Sequence, residues 1–279
     1  MSRPIKPAIS ILTWKSPRTL EETLISIKPI EKLFFEKYVI CQEADPSEIE
    51  VAQRFGFTPI PIPENLGIQG GLEMCVSVAR AEIVLVVEND CPYLGNETGS
   101  EKISSAIRAL HEGILDIVQL HCMGSRPSKR FTKYWKSAVP PRRTIQGFLR
   151  PSDARSAWGE AIILDNFPKE GTSEICRIDR SLYRTFSHHR PWSNRPFLTT
   201  RTFFLDVVLA FAKGNPSSRT VNGKPDLEHA INCRKNRQWW RKSKFRVGMM
   251  LPGQFGHTRI ERPSEDEKNR EHSQLTHRR

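Results

Sequence analysis

No stretch of this 279-residue sequence stays apolar for long. The longest uninterrupted aliphatic run is Ile83 to Val87, whereas a membrane-crossing helix needs about 20 apolar residues; a bilayer-spanning segment is excluded. The opening MSRPIKPAISILTWK has neither the apolar stretch nor the small-residue cleavage site of a secretory leader. The six cysteines (41, 75, 91, 122, 176 and 233) are scattered and form no C-x-x-C pair. That pattern points to isolated reduced thiols rather than a disulfide framework or a structural zinc site, so an intracellular, cytoplasmic protein is expected. G-x-x-x-x-G-K-[ST], G-x-G-x-x-G after the first strand, H-E-x-x-H and G-x-S-x-G are all missing. Their absence removes most support for an ATPase, a dehydrogenase, a zinc protease or a serine hydrolase.

What is present suffices for a folded core. Hydrophobic residues make up 38% of the chain and aromatics 9%, which excludes wholesale disorder. The formal net charge of +12 is unevenly placed. Residues 1–120 carry 11 basic and 17 acidic side chains, and residues 121–279 carry 32 basic and 14 acidic. The second half is therefore the part suited to anions, be they phosphates, an acidic acceptor or a lipid surface. Its densest cluster runs from Arg234 to Lys242 and includes Arg237, Trp239, Trp240 and Arg241.

The first half alternates strand and helix signals. Ala8–Trp14 reads as a buried strand, and Ser16-Pro17 opens a helix with Leu20, Leu24 and Ile27 on one side. Tyr38–Gln42 is a second strand. Asp45-Pro46-Ser47-Glu48 resembles an N-cap followed by a reciprocal acid, and the helix stops at Gly56. Thr58–Ile62 is a Pro-interrupted strand, followed by a helix over 68–80 and the strongest strand, Glu82–Val87. A helix near Lys102–His111 and a strand at Leu115–His121 complete the rhythm. Strands separated by helices of this length imply right-handed crossovers and an α/β fold with a mostly parallel sheet.

After His121 the pattern weakens. Residues 122–155 read as a long loop, Trp158–Leu164 as a strand, Phe203–Phe211 as a helix ended by Gly214, and Phe245–Leu251 as a last strand. One helix is expected to start near Pro225 and run into the basic cluster. The organisation expected is thus an α/β half over 1–121, a basic half of the same domain over 122–260 and a disordered tail over 261–279.

In open parallel sheets ligands bind beyond the carboxyl ends of the strands. Those ends carry Thr13-Trp14-Lys15, Glu43-Ala44-Asp45, the Gly-rich Asn65-Leu66-Gly67-Ile68-Gln69-Gly70-Gly71, and Glu88-Asn89-Asp90. Acids beside a helix start with free N–H groups suit a phosphate and a hard divalent cation.

Over roughly residues 6–95 the chain resembles the nucleotide-sugar glycosyltransferases of the GT-A (Rossmann-like) fold, nearest to the inverting family 2. The resemblance rests on AISILTWKSPRTLEETLISI, ENLGIQGGLEMCVSVARAE and IVLVVENDC. It implies that Glu88-Asn89-Asp90 stands in place of the metal-binding DXD motif, with Glu88 and Asp90 as ligands of Mn²⁺ or Mg²⁺. It also implies that Thr13, Trp14, Asn65, Gly67, Gly70 and Asn89 lie along a UDP- or GDP-sugar, and that Glu43 or Asp45 contacts the base. Asp226 or Glu228, in Pro225-Asp226-Leu227-Glu228, echoes the family's ED motif, where a carboxylate acts as catalytic base; the rigid backbone after Pro225 favours Asp226. His257, in Gly253-Gln254-Phe255-Gly256-His257, sits where several members place a late metal ligand.

The function implied is a metal-dependent, inverting transfer of a sugar to a hydroxyl of a glycan, protein or lipid-linked acceptor. Arg237, Arg241 and Lys242 would face that acceptor or the surface of a membrane, with peripheral contact through 234–246. The competing readings are a basic α/β module gripping nucleic acid through 126–150 and 234–246, with Trp135, Trp239 and Trp240 stacking on bases, and a transferase-like scaffold without activity. If neither Asp226 nor Glu228 is the base, the acids at Asp153 and Glu160 come next. His188-His189 has no ligand spacing and reads as structural or acceptor-facing.

Overall fold

The computed structural model describes residues 5–95, 99–121, 176–188, 190–250, 253–258 and 260. Six strands and four helices occupy the expected frame: β1 Ala8–Trp14, α1 Pro17–Ile27, β2 Glu36–Gln42, α2 Pro46–Arg54, β3 Thr58–Ile62, α3 Gly67–Ser77, β4 Ile83–Glu88, α4 Gly99–His111, β5 Ile117–Gln119 and, near the end, β11 Arg246–Met250. Between them come β6 Cys176–Arg177, β7 Leu182–Phe186, β8 Phe197–Thr200, a π-helical stretch Phe203–Leu209 continuing into α5 Ala210–Gly214, the hairpin β9 Thr220–Val221 and β10 Lys224–Pro225, α6 Leu227–Asn232 and α7 Arg237–Ser243.

The central sheet has the order β3-β2-β1-β4-β8-β5-β11-β7-β6. β1, β2, β3 and β4 are parallel neighbours, as are β5 and β11. β8 runs antiparallel between β4 and β5, and β7 runs antiparallel to both β11 and β6. Seven of the nine strands therefore point one way, and the sheet is mostly parallel.

Period-two alternation sends the side chains of each central strand to opposite faces. Ile9 and Ile11 of β1, Val39 of β2 and Leu85 of β4 pack with Leu20, Leu24 and Ile27 of α1 and with Ile103 and Ile107 of α4. Ala8, Leu12, Ile40, Val84 and Val86 face the other way, against Leu72 and Val76 of α3, Phe204, Val208, Ile231 and Trp240. Gly71 brings α3 close to the sheet: a Cβ there would stand 2.5 Å from a Leu12 methyl group.

The second half departs from its expected shape. The single helix running from Pro225 into the basic cluster is two helices, because Cys233 is extended (φ −62, ψ 158). The Asn236 amide fills the break, donating to the carbonyls of Ala230 (2.8 Å) and Asn215 (2.6 Å). β7 and β8 had no counterpart in the sequence reading. The expected loop over 122–155, the strand Trp158–Leu164 and the tail over 261–279 lie outside the described residues, as do Trp135, Asp153, Glu160 and His189.

Candidate active site

A cleft of about 170 Å³ opens at the carboxyl ends of β1, β2 and β4. Its floor is Leu12, Thr13, Trp14, Gln42, Glu88, Asn89 and Asp90; Asn65, Gly67 and Ile68 line it at the start of α3. Val221, Asn222 and Lys224 of the β9–β10 hairpin close the far side. That hairpin turns on Asn222-Gly223, both with positive φ (50° and 74°), the signature of a two-residue type I′ turn. Gly67 also has positive φ (72°), and a Cβ there would lie 2.4 Å from the Lys224 Cβ, so glycine lets the hairpin seat on α3.

Of the residues expected along the donor, Thr13, Trp14, Asn65, Gly67 and Asn89 line this cleft; Gly70, Glu43 and Asp45 do not. Gly70 faces its own helix start, where a Cβ would meet the Leu66 Cβ at 2.7 Å. Asp45 is the N-cap of α2, accepting from the Ser47 and Glu48 N–H groups. Glu43 pairs with Lys15 at 2.5 Å, and both hold left-handed backbone (φ 61° and 47°), so the ion pair ties together the two strained turns that follow β1 and β2.

Behind the cleft lies a further acid, Glu48, which the sequence pattern marks as a capping partner; it bonds to Thr13 and Ser16 of the lining. Glu48 turns away from the Asp45 backbone and is fully buried. It accepts from the Thr13 hydroxyl at 2.5 Å and the Ser16 N–H at 2.9 Å. Thr13 in turn accepts from the Asn89 amide at 3.0 Å, so one chain of hydrogen bonds ties α2, the end of β1 and the end of β4 together. Burial pushes the Glu48 carboxyl up to about 7 despite those donors.

At the end of β4, Glu88, Asp90 and Cys91 each offer a ligand atom within 4.8 Å of the others. Cys91 donates to Asp90 Oδ1 at 3.6 Å, and burial with the negative charges of Glu88 and Asp90 holds its thiol well above the ordinary range. A neutral thiol is no ligand for a hard cation, which leaves the two carboxylates. His257 Nε2 stands 3.4 Å from Asp90 Oδ2. Backbone bonds place it there: Thr258 N–H donates to Asp90 O at 2.7 Å and Gly256 N–H to Pro92 O at 2.8 Å. Asp90 is 1% exposed in its side chain and His257 43%, so the group opens outward on the histidine side. The Glu88 and Asp90 carboxylates fit Mn²⁺ or Mg²⁺, and His257 stands beside Asp90 without joining the group of ligand atoms that lie within 4.8 Å of one another.

Asp226 is the N-cap of α6. Its oxygens accept from the Glu228 and His229 N–H groups and from the Asn194 amide at 2.6 Å, and His229 Nδ1 lies 3.0 Å away. Glu228 is less engaged, accepting from the Asn194 N–H at 3.4 Å. Burial, then the charge of Asp226, raises its carboxyl, while Arg195 and the Asn194 N–H oppose them. Arg195, which the sequence reading passed over, acts electrostatically on both Glu228 and Cys91. Neither Asp226 nor Glu228 is among the residues that line the cleft.

The aromatic members of the basic cluster are not an open stacking surface. Trp240 is 1% exposed and donates to the Arg190 carbonyl at 2.7 Å; Trp239 lies flat on Phe211, 3.7 Å between ring centroids. Among the described residues no helix is long and apolar enough to cross a membrane.

No protein-family model and no curated protein sequence matches the chain. Solved structures do match. Staphylococcus aureus TarS 1-349 aligns at a TM-score of 0.53 with 13% identity, over 91% of this chain and 60% of that one. The chain has the GT-A fold. TarS 1-349 in complex with UDP-GlcNAc aligns at 0.50 with 13% identity, over 93% of this chain and 60% of its own length. Glucosyl-3-phosphoglycerate synthase from Mycobacterium tuberculosis, in complex with Mn²⁺, UDP and glucosyl-3-phosphoglycerate, aligns at 0.48 with 12% identity, over 98% of this chain and 80% of that one. The chain spans about three fifths of the TarS fragment. In this GT-A chain the cleft lies where open parallel sheets place their ligands, beyond the carboxyl ends of β1, β2 and β4.

Proposed function

We propose that this chain is a metal-dependent glycosyltransferase that moves a sugar from a nucleoside-diphosphate sugar to an acceptor hydroxyl with inversion. The observation that carries the reading is that Glu88 and Asp90, whose carboxylates come together, line a cleft at the carboxyl edge of a GT-A sheet, with His257 3.4 Å from Asp90. Glu88, Asp90 and His257 would hold Mn²⁺ or Mg²⁺, which supplies Lewis-acid neutralisation of the leaving diphosphate.

The chain's own residues do the rest. The nucleoside lies over Trp14 and beside Asn65 and Gly67, at the foot of the β9–β10 hairpin. Thr13 and Asn89 are held rigid by Glu48, which keeps the ends of β1 and β4 in register for the donor. Glu228, half-buried and with its carboxyl raised, takes the acceptor's proton as general base. Asp226 caps the helix that carries it. The corresponding shift of the base from Asp226 to Glu228 follows from the number of donors that already occupy Asp226. Arg195 offers positive charge that acts on Glu228 and on Cys91. Arg237, Arg241 and Lys242 give the acceptor side its charge, suited to an anionic glycan, protein or lipid-linked acceptor.

The test is release of nucleoside diphosphate from a panel of nucleotide sugars, followed with and without Mn²⁺ and acceptor-containing extract. Metal-dependent release that Asp90→Ala abolishes supports the reading; release indifferent to both metal and Asp90 sinks it. Of the stacking residues in the nucleic-acid reading, Trp239 and Trp240 are packed against Phe211 and the core, and Trp135 lies outside the described residues.

A further inference from the structure

A second group of polar side chains stands between the ends of β4 and β5. β8 runs antiparallel between those strands, with Phe197 opposite Val86 on one side and Gln119 on the other. Carrying both registers two residues back along the chain sets Arg195 level with Glu88 and with His121, at the carboxyl edge of the sheet. The electrostatics agree, since Arg195 acts on Cys91, His121 and Glu228.

The loop that carries Arg195 is pinned at both ends. Gln119 Nε2 donates to the Pro191 carbonyl at 3.0 Å, and the Leu120 N–H donates to the Pro196 carbonyl at 3.0 Å. Within the loop, Trp192 exchanges backbone hydrogen bonds with the Asn232 amide, and Asn194 joins the Trp192 indole to Asp226. The Arg195 side chain takes no part in this. It is half-buried, and its guanidinium has no hydrogen-bond or ion-pair partner among the described residues. A guanidinium held on a rigid loop and given no acceptor keeps its five donors for a ligand, at little ordering cost.

Two buried groups stand with it. Arg190 is 2% exposed and donates from Nε to Gln119 Oε1 at 2.9 Å. His121 is 6% exposed, and its Nδ1 has no hydrogen-bond partner among the described residues. Burial, then Arg190 and Arg195, hold that imidazole well below its ordinary range, so the charges bearing on it are positive. The nearby acids offset little of this. Asp226 is occupied by two N–H groups and the Asn194 amide, which leaves Glu228 as the acid of α6 that feels Arg195. Excess positive charge in a partly desolvated place is what an oxyanion neutralises, and the guanidinium fork matches phosphate and carboxylate alike.

We propose that Arg195, backed by Arg190 and His121, binds an oxyanion of the acceptor, a phosphate or a carboxylate carried near the hydroxyl that Glu228 deprotonates. The inference rests on the glycosyltransferase reading above and narrows its acceptor to one recognised by its negative charge at the β8 side of the sheet edge.

The test begins without metal or nucleotide, by calorimetric titration of the full chain with inorganic phosphate and, separately, with acetate. At least one of the two should bind saturably to wild type and about tenfold or more weaker to Arg195→Gln, the effect of losing charge-assisted hydrogen bonds. Arg195→Lys keeps the charge without the fork and should fall between them. Arg108→Gln, on the exposed side of α4, should match wild type and so discount general attraction to a chain of net charge +12. If neither anion binds, or binding survives Arg195→Gln, or Arg108→Gln weakens it equally, the site is overturned. A second titration adds saturating UDP or GDP with Mg²⁺. An anion that still binds beside the nucleotide belongs to the acceptor side; an anion that the nucleotide displaces occupies the donor's own phosphate site, which overturns the acceptor assignment. If neither nucleotide binds while Arg195-dependent anion binding persists, the glycosyltransferase reading and the acceptor assignment fall and the anion site stands. Nucleotide binding without Arg195-dependent anion binding sinks this inference and leaves that reading intact.

Discussion

Replacing Glu48 by glutamine separates its charge from its shape. The carboxyl is fully buried, and its folded value of about 7 lies above the ordinary 4.5. A carboxyl raised by folding binds more protons in the native chain than in the unfolded one between those values, so its contribution to stability falls as pH rises from about 4.5 through about 7. At 1.36 kcal/mol per pH unit, the gap amounts to about 3 kcal/mol lost above pH 7. Glutamine keeps an oxygen for the Thr13 hydroxyl and the Ser16 N–H but cannot ionise. Its amino group takes the place of Oε2, which has no hydrogen-bond partner among the described residues, so a fixed desolvation cost of about 1–3 kcal/mol enters at every pH. The pH-independent cost cancels when the difference between Glu48→Gln and wild type is followed across pH. That difference should move in the variant's favour by about 3 kcal/mol from pH 4.5 to pH 8, or roughly 6–12 °C in melting temperature at about 2–4 °C per kcal/mol. Thermal melts of both proteins at half-unit pH steps provide the assay. Parallel melting curves across the whole range would refute the buried-carboxylate argument.

Other consequences are simpler to read. Glu228→Gln should lower kcat by about 10²–10⁴-fold with donor affinity retained, whereas Asp226→Asn, still a good N-cap, should stay within tenfold; steady-state kinetics of both variants decide between them. Gly71→Ala drives a methyl group into Leu12 and should cost about 1–3 kcal/mol in denaturant melts, with a comparable loss absent from Gly214→Ala, where a Cβ meets open space. Reversing the charges of Arg237 and Lys242 should raise acceptor KM while leaving donor hydrolysis by water nearly unchanged; equal loss of both activities would mean that α7 is only structural.

The part of this architecture written locally in the sequence was legible. β1 to β4 are short apolar runs bounded by turn residues, and each interposed helix shows its apolar side. The lower half of the sheet was not, because β7 and β8 are held by pairing with distant strands. Phe197–Thr200 is four residues long behind Pro196, and its antiparallel place between β4 and β5 is set by partners roughly a hundred residues away. The I′ turn at Asn222-Gly223 did carry a local signal, since an Asn-Gly pair between extended residues marks a hairpin. At the site, residue type was legible and direction was not. Glu48 shows the spacing of a capping box, yet its carboxyl reaches Thr13, an arrangement visible only once β1 and α2 are adjacent. Glu43 and Asp45 have the residue type of a base contact, yet the first pairs with Lys15 and the second caps α2, and the residue after β2's apolar run that lines the cleft is the amide Gln42.

The central claim is that the carboxyl edge of this sheet binds a nucleotide sugar through a metal held by Asp90. A thermal-shift panel of UDP-, GDP-, CDP- and dTDP-sugars with and without Mn²⁺, run on wild type and Asp90→Ala, tests it most directly. Binding to the folded state at 100 times Kd adds about 2.7 kcal/mol of apparent stability. The account predicts that at least one nucleotide sugar raises the wild-type melting temperature by several degrees only when Mn²⁺ is present, and that Asp90→Ala folds but loses the shift. No shift with any of these donors, or an equal shift in Asp90→Ala, would contradict it.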